Sequence, residues 1–167
     1  ISLALTVAAT TIVATTGQAR DRARFQNAVS AASAGIESRL RAHVAILRGT
    51  AGLFAASGDV SDAEFRTFVG QFSLRDRYPG VQGIGWAPRV VPDAVDSLLR
   101  ARRDAGQPDF ALVSDAEDGD RYPIVLLEPR DRRNEVAIGF DMYAQPVRRT
   151  AMDAARDSAA PTMTGPV

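Results

Sequence analysis

Apolar and polar positions follow two regimes along this chain. From Gln18 to about Ala56, apolar residues recur at Phe25, Val29, Ala32, Ile36, Leu40, Leu47 and Phe54, with no proline among them. Steps of three, four and seven residues define one face of a long helix. Such a helix would be a rod of roughly 55–60 Å at 1.5 Å per residue. Gly35, Gly49 and Gly52 weaken it locally, by up to about 1 kcal/mol each where exposed. A seam this narrow suits pairing with a second copy, although a lone helix lying on its own domain gives the same pattern. Ahead of it, residues 1–17 (ISLALTVAATTIVATTG) carry no charge. About 20 apolar residues span a bilayer, so this reads as the tail of a transmembrane helix that starts upstream. A signal-peptide core is the other reading, with Gly17-Gln18-Ala19 as small-residue cleavage chemistry. Arg20, Arg22 and Arg24 follow, and the positive-inside rule would place that flank in the cytoplasm.

Past Ala56 the pattern becomes mixed. Ser57-Gly58 breaks the helix, and Ser61 with Glu64 forms the S-x-x-E capping box of a second one. That helix runs to near Arg75 with Phe65, Phe68, Val69 and Phe72 as its apolar face. The segment PGVQGIGWAPRV (79–90) reads as a strand carrying Val81, Ile84, Trp86 and Val90. Gly83 and Gly85 strip side chains from it, which lets another backbone or a ligand come close, and Pro88 limits further pairing. Pro92 opens a helix that Gly106 ends. DFALV (109–113) and RYPIVLLEP (121–129) read as strands joined by the polar loop SDAEDGD. RDRRNE (130–135) reads as a solvated charge run. Pro146 opens a helix through Ser158 with Met152 and Ala155 inward, and PTMTGPV (161–167) looks like half of another strand. The whole is an α+β pattern: a partial transmembrane helix over 1–17, a stalk over 18–56 and a sensor-sized domain over 57–167.

Composition narrows the chemistry. The 167 residues are 46% apolar and 24% charged with a formal net charge of zero, so no basic surface for nucleic acid is indicated. The absence of cysteine excludes a disulfide scaffold, a thiolate zinc site and a thiol nucleophile. His43, the lone histidine, lies on the helix seam with no catalytic or metal partner patterned around it. Asp115, Glu117, Asp118 and Asp120 crowd one loop without the spacing of a calcium site. Glu128 and Asp141 could mimic a paired-carboxylate hydrolase, but nothing in the spacing fixes their separation. No phosphate loop, cofactor motif or metal cluster appears, so neither catalysis nor a cofactor is expected of this segment.

Three pieces in this order resemble one family: PGVQGIGWAPRV, RYPIVLLEP, and GFDMYAQPVRRTAMDAARDSAAPTMTGPV. They resemble the CHASE domain, the extracytoplasmic sensor module of membrane histidine kinases and nucleotide or diguanylate cyclases, known best from plant cytokinin receptors. The resemblance covers roughly Phe54 to Val167. It implies a stalk helix and a PAS-like antiparallel sheet with flanking helices that holds a small ligand, with the closing strands past Val167. It also implies a homodimer through the stalk, a membrane anchor and a kinase or cyclase output outside this chain. By the same resemblance, GFDMY places Asp141 where the plant receptors hold a purine-like ligand. Phe140 stands for their leucine, and MTGP sets Met163 and Thr164 beside that ligand. A carboxylate can accept two N–H donors from a flat heterocycle. Capping or an Asx turn is the plainer role for the same aspartate. Trp86, next to Gly85, would either stack on a planar ligand or cover a core edge. A ligand-free dimerisation spacer, sensing through a partner protein, is the competing function.

Overall fold

The computed structural model describes residues 2–116 and 118–167, and the burial of residue 17 and of residues 20–116 and 118–167. The first element, α1, is one helix from Ser2 to Ala56. It ends where Ser57-Gly58 breaks the pattern. Two compact units divide the chain, Ile1–Ile46 and Leu47–Val167. In the first unit, residues 20–41 are exposed all round. Phe25 and Ile36 are 70% and 62% exposed, so this chain itself leaves the apolar seam uncovered. Among the described residues, no helix is long and apolar enough to cross a membrane. The membrane expectation for 1–17 falls almost wholly on side chains outside the described ones.

In the second unit α2 spans Asp62–Gly70 and starts as its sequence demands. The Ser61 backbone N–H donates to Glu64 Oε2 at 2.9 Å, and Glu64 N–H donates back to Ser61 Oγ at 3.3 Å. Phe65 and Val69 are its buried face. Phe68 and Phe72 are half-buried and meet edge to face at 5.1 Å. The expected run to Arg75 is interrupted: Ser73 takes a left-handed conformation at φ 51°, and a separate turn, α3, covers Leu74–Arg77.

The sheet is smaller than the apolar runs suggest. Strands β1 (Ile84–Trp86) and β2 (Leu126–Glu128) pair antiparallel, with Ile84 opposite Glu128 and Trp86 opposite Leu126. The expected strands 81–90 and 121–129 shorten to these cores plus single bridges, one of them between Val90 and Arg121. Pro88 and Pro123 explain the shortening, since a proline brings no N–H to a ladder. On its other side the 121–125 segment bonds to a turn: Ile124 N–H donates to Phe140 O at 3.0 Å and Gly139 N–H to Ile124 O at 2.8 Å. The expected strand at 109–113 is only a bridge, in which Val113 N–H donates to Gly139 O and Val113 O accepts from Asp141 N–H, both at 2.9 Å. Residues 161–167 form no strand and are exposed. Pro161 and Pro166 again withhold two donors.

Between the strands, a 3-10 turn at Pro92–Ala94 leads into α4, Val95–Asp104. Gly106, at φ 87°, follows it as the sequence predicts. Helix α5 is a single turn, Arg132–Glu135, and α6 spans Pro146–Ser158. The α5 region corrects the reading of 130–135 as plain solvated charge. Asp131 accepts from the N–H groups of Arg133 and Asn134, each at 3.0 Å. Asn134 is 5% exposed, and its Nδ2 donates to Pro129 O at 2.8 Å. The core these elements enclose includes Phe65, Val69, Leu74, Ile84, Val90, Phe110, Val125 and Leu126.

Candidate ligand cleft and the Asp141 knot

A cleft of about 1000 Å³ opens between Ala51–Ala55 of α1, the 57–61 loop, the start of α2, β1 and α4. Small residues keep it open: Ala51, Ala55, Gly58, Ala63, Ala101 and Ala105 all border it. Ala101 shares a face of α4 with Leu98, by helical spacing, and Ala105 follows directly after the helix. Trp86 forms part of the wall and remains 37% exposed. Its ring lies on that of Phe54, centroids 4.0 Å apart and planes at 14°. Phe54 in turn meets Phe65 at 5.9 Å, and Phe65 is 1% exposed. An aromatic row thus runs from the cleft wall into the core. A flat apolar ring is the shape such a wall accepts, because stacked aromatic surfaces gain both burial and favourable quadrupole alignment.

The polar end of the cleft is set by Asp62 and Arg102. One Arg102 terminal nitrogen donates to Asp62 Oδ1 at 2.8 Å, to Asp62 Oδ2 at 3.0 Å and to Val125 O at 3.1 Å. Gln107 Nε2 also donates to Asp62 Oδ2. The Arg102 side chain is only 13% exposed and its charged group lies 5.7 Å over the Phe110 ring. Among the described residues Arg102 Nε is buried without a hydrogen-bond partner. Asp62 stands at the positive end of α2, where a carboxylate is favoured.

Asp141 lies elsewhere. Its side chain is fully buried. Oδ1 accepts from Tyr122 N–H at 2.8 Å and Tyr143 N–H at 3.0 Å. Oδ2 accepts from Ser114 Oγ at 2.7 Å and faces Arg121 Nε at 3.9 Å. The carboxylate therefore ties the 113–114, 121–122 and 141–143 segments into one knot. Arg121 extends the knot by donating to the carbonyls of Ala116, Asp118 and Gly119 at 2.7–2.8 Å, which holds the acidic loop. Among the described residues no group of carboxylates or histidines is arranged to hold a metal. Around the knot, Tyr122 and Tyr143 approach at 4.7 Å, and Tyr143 donates to Asp153 Oδ1 at 2.6 Å. That bond raises the Tyr143 phenol above its ordinary value, with burial adding to it.

The residues singled out in the sequence are not gathered at one place. Trp86 borders the cleft, whereas Gly85, Phe140, Asp141, Met163 and Thr164 do not. Phe140 is half-buried with the Arg148 charge 5.4 Å from its ring. Met163 is 78% exposed and Thr164 is exposed beside it. What comes close to Gly83 and Gly85 is the paired strand β2. A Cβ on Gly83 would sit 2.9 Å from Glu128 O, and one on Gly85 2.9 Å from Leu126 O. Arg89 is bonded to Asp120 at 2.6 Å, which raises the guanidinium above its ordinary value. Glu128 is held by Arg66, Nε to Oε1 at 3.1 Å.

Sequence reasoning missed Phe54, Asp62 and Arg102. Phe54 continues the stalk seam, and nothing local marks it as turning toward the sheet. Arg102 sits in the charged run RARRD and looks solvated. The available signal was its place one residue past Ala101, on the flank of the apolar face of α4.

Residues 58–167 match the CHASE domain family. No curated protein matches the chain.

Proposed function

The chain belongs to the CHASE domain family, whose members are sensor modules of signalling receptors rather than catalysts, and on that footing we propose that it senses a small planar ligand in the Trp86 cleft. The observation that carries this reading is the Trp86–Phe54 stack. One ring belongs to the sheet and the other to the last turns of α1, so a ligand seated on Trp86 acts directly on the packing of that helix end. The Arg102 side chain borders the same cleft and gives it a polar end. Ligand binding shifts a balance of conformations only by its difference in affinity for them, and a stack shared by two elements is where such a difference can arise.

In this proposal α1 carries the shift to an output domain of the kinase or cyclase type, through a homodimer. The exposed seam Phe25, Val29, Ile36, Leu40 and Leu47 supports the pairing, since a water-exposed apolar stripe on a long helix gains by meeting its own copy. Residues 1–17 would be the end of a membrane segment, with the sensor domain on the extracytoplasmic side.

Trp86 is the sole tryptophan, so tryptophan emission excited selectively at long wavelength reports this cleft alone. Titration of the chain with planar N-heterocycles, adenine among them, should quench or shift that emission saturably and raise the melting temperature, as anything that binds only the native state must. Trp86→Leu should abolish the thermal shift. A panel of such rings that leaves both emission and melting unchanged would reject the ligand and favour a second reading, a ligand-free dimerisation spacer. The full engagement of Asp141 within the chain is what supports that alternative.

A further inference from the structure

A second depression, of about 520 Å³, lies where the end of α2, the Ser73 turn and the residues after β2 converge. Three arginines border it: Arg66, Arg75 and Arg130. Two of them are oriented by the chain. Arg66 uses Nε on Glu128 Oε1 at 3.1 Å, and Arg75 uses one terminal nitrogen on Asp131 Oδ2 at 3.0 Å. The carboxylates doing the orienting are themselves fixed. Glu128 is 8% exposed, and its second oxygen accepts from Arg130 N–H at 2.9 Å. Asp131 Oδ1 accepts from two backbone N–H groups of α5. Those backbone bonds hold the Asp131 carboxyl below its ordinary value, with the Arg75 bond contributing.

The outcome is asymmetric. A guanidinium has five N–H donors, and each of these arginines spends one or none on the chain's acids. The acids, by contrast, spend both oxygens. The Arg130 side chain is exposed and makes no ion pair among the described residues. Leu74, Val69 and Pro129 supply an apolar floor. Asp76 also borders the depression, and its charge sets a limit on how much negative charge the depression accepts. From this we infer that the depression binds a small organic carboxylate with a short apolar body. Its charge would be met by the unspent N–H edges of Arg66 and Arg130, and its carbon chain by Leu74 and Pro129. Arg66, held in place by the buried Glu128, presents donors that need little further ordering when the anion arrives, and Arg130 adds a second guanidinium at the rim. The site is separate from the Trp86 cleft and does not depend on the ligand proposed there.

Calorimetric titration of the full 167-residue chain tests it, at fixed ionic strength, with 4-methylpentanoate, leucine and inorganic phosphate as probes. The first shares the carbon skeleton of leucine without the ammonium group, so the two together read the influence of Asp76. The expected result is saturable binding of 4-methylpentanoate, tighter than phosphate, with no change in Trp86 emission. Arg130→Gln should weaken it about tenfold or more, the loss of a charge-assisted contact. That substitution keeps the backbone bond to Glu128, so folding is preserved, and thermal unfolding of the variant verifies this. Arg66→Lys should also weaken binding, since an ammonium lacks the fork. Leucine binding as tightly as 4-methylpentanoate would extend the ligand class to amino acids. No saturable binding by either probe, or binding indifferent to Arg130→Gln, would overturn the inference.

Discussion

Phe54 and Trp86 lie face to face at 4.0 Å, and this pair is where the last turns of α1 meet the sheet. Neither residue is fully buried. Their contact nonetheless joins elements far apart in sequence and continues into the core through Phe65. Phe54→Ala should destabilise the Leu47–Val167 unit by about 1–3 kcal/mol, below the figure for a fully buried ring. The same change should move Trp86 emission to longer wavelength, because the indole loses its cover on one face. Denaturant unfolding followed by fluorescence reads both.

Asp141 is set to be a stability residue. Asn in its place keeps one acceptor oxygen and turns the other into a donor, which would then face the N–H groups of Tyr122 and Tyr143 or the Ser114 hydroxyl and Arg121. Asp141→Asn should cost about 1–3 kcal/mol without any ligand present. A variant that melts with the parent protein would show that the carboxylate is dispensable to the knot.

Gly139 cannot be replaced. Its φ is 83°, and a Cβ there would lie 1.9 Å from the carbonyl oxygen of Ala111. Because the obstacle is backbone, relief requires moving the 111–113 segment, which the Gly139 and Asp141 bonds to Val113 hold. Gly139→Ala should lose more than about 2 kcal/mol or leave the protein unfolded, as measured by circular dichroism melting.

The capping box of α2 adds a pH dependence. The Ser61 backbone N–H, with the Ser61 hydroxyl next, holds the Glu64 carboxyl below its ordinary value of 4.5. A lowered value means that the folded state favours the ionised form. The stabilisation is therefore complete above the ordinary value and is lost as pH falls through the lowered one. Glu64→Gln should flatten this part of the stability profile below about pH 4.5 relative to the parent protein, whereas Ser61→Ala should cost about 0.5–2 kcal/mol near neutrality.

Pairing through α1 has a direct test. Ile36 is 62% exposed on the seam, and in the proposed dimer a charge there would face its own copy. Ile36→Glu should shift the chain toward monomer in sedimentation at micromolar concentration, with the melting of the Leu47–Val167 unit unchanged. Equal sedimentation of both proteins as dimers would place the interface off this seam.

What could be read from the sequence was whatever depends on neighbours in the chain. The helix ending at Ala56, the Ser61–Glu64 box, the stop at Gly106 and the helix opened by Pro146 all follow from local spacing, caps and proline geometry. The order of three motifs was enough to recognise the family. Strand extents were not legible, because a strand needs partners that lie 40 residues or so away, and Pro88, Pro123 and Pro161 remove donors at positions whose importance only pairing reveals. The same limit governed the sites. Asp141 in GFDMY carries no local mark of a buried tie, and only the fold brings Ser114, Tyr122 and Tyr143 to its carboxylate. Arg102 and Phe54 look like a solvated charge and a stalk position until the fold brings Asp62 to one and Trp86 to the other. Local physics writes helices and their ends into the sequence, whereas a cleft exists only once distant segments share a wall.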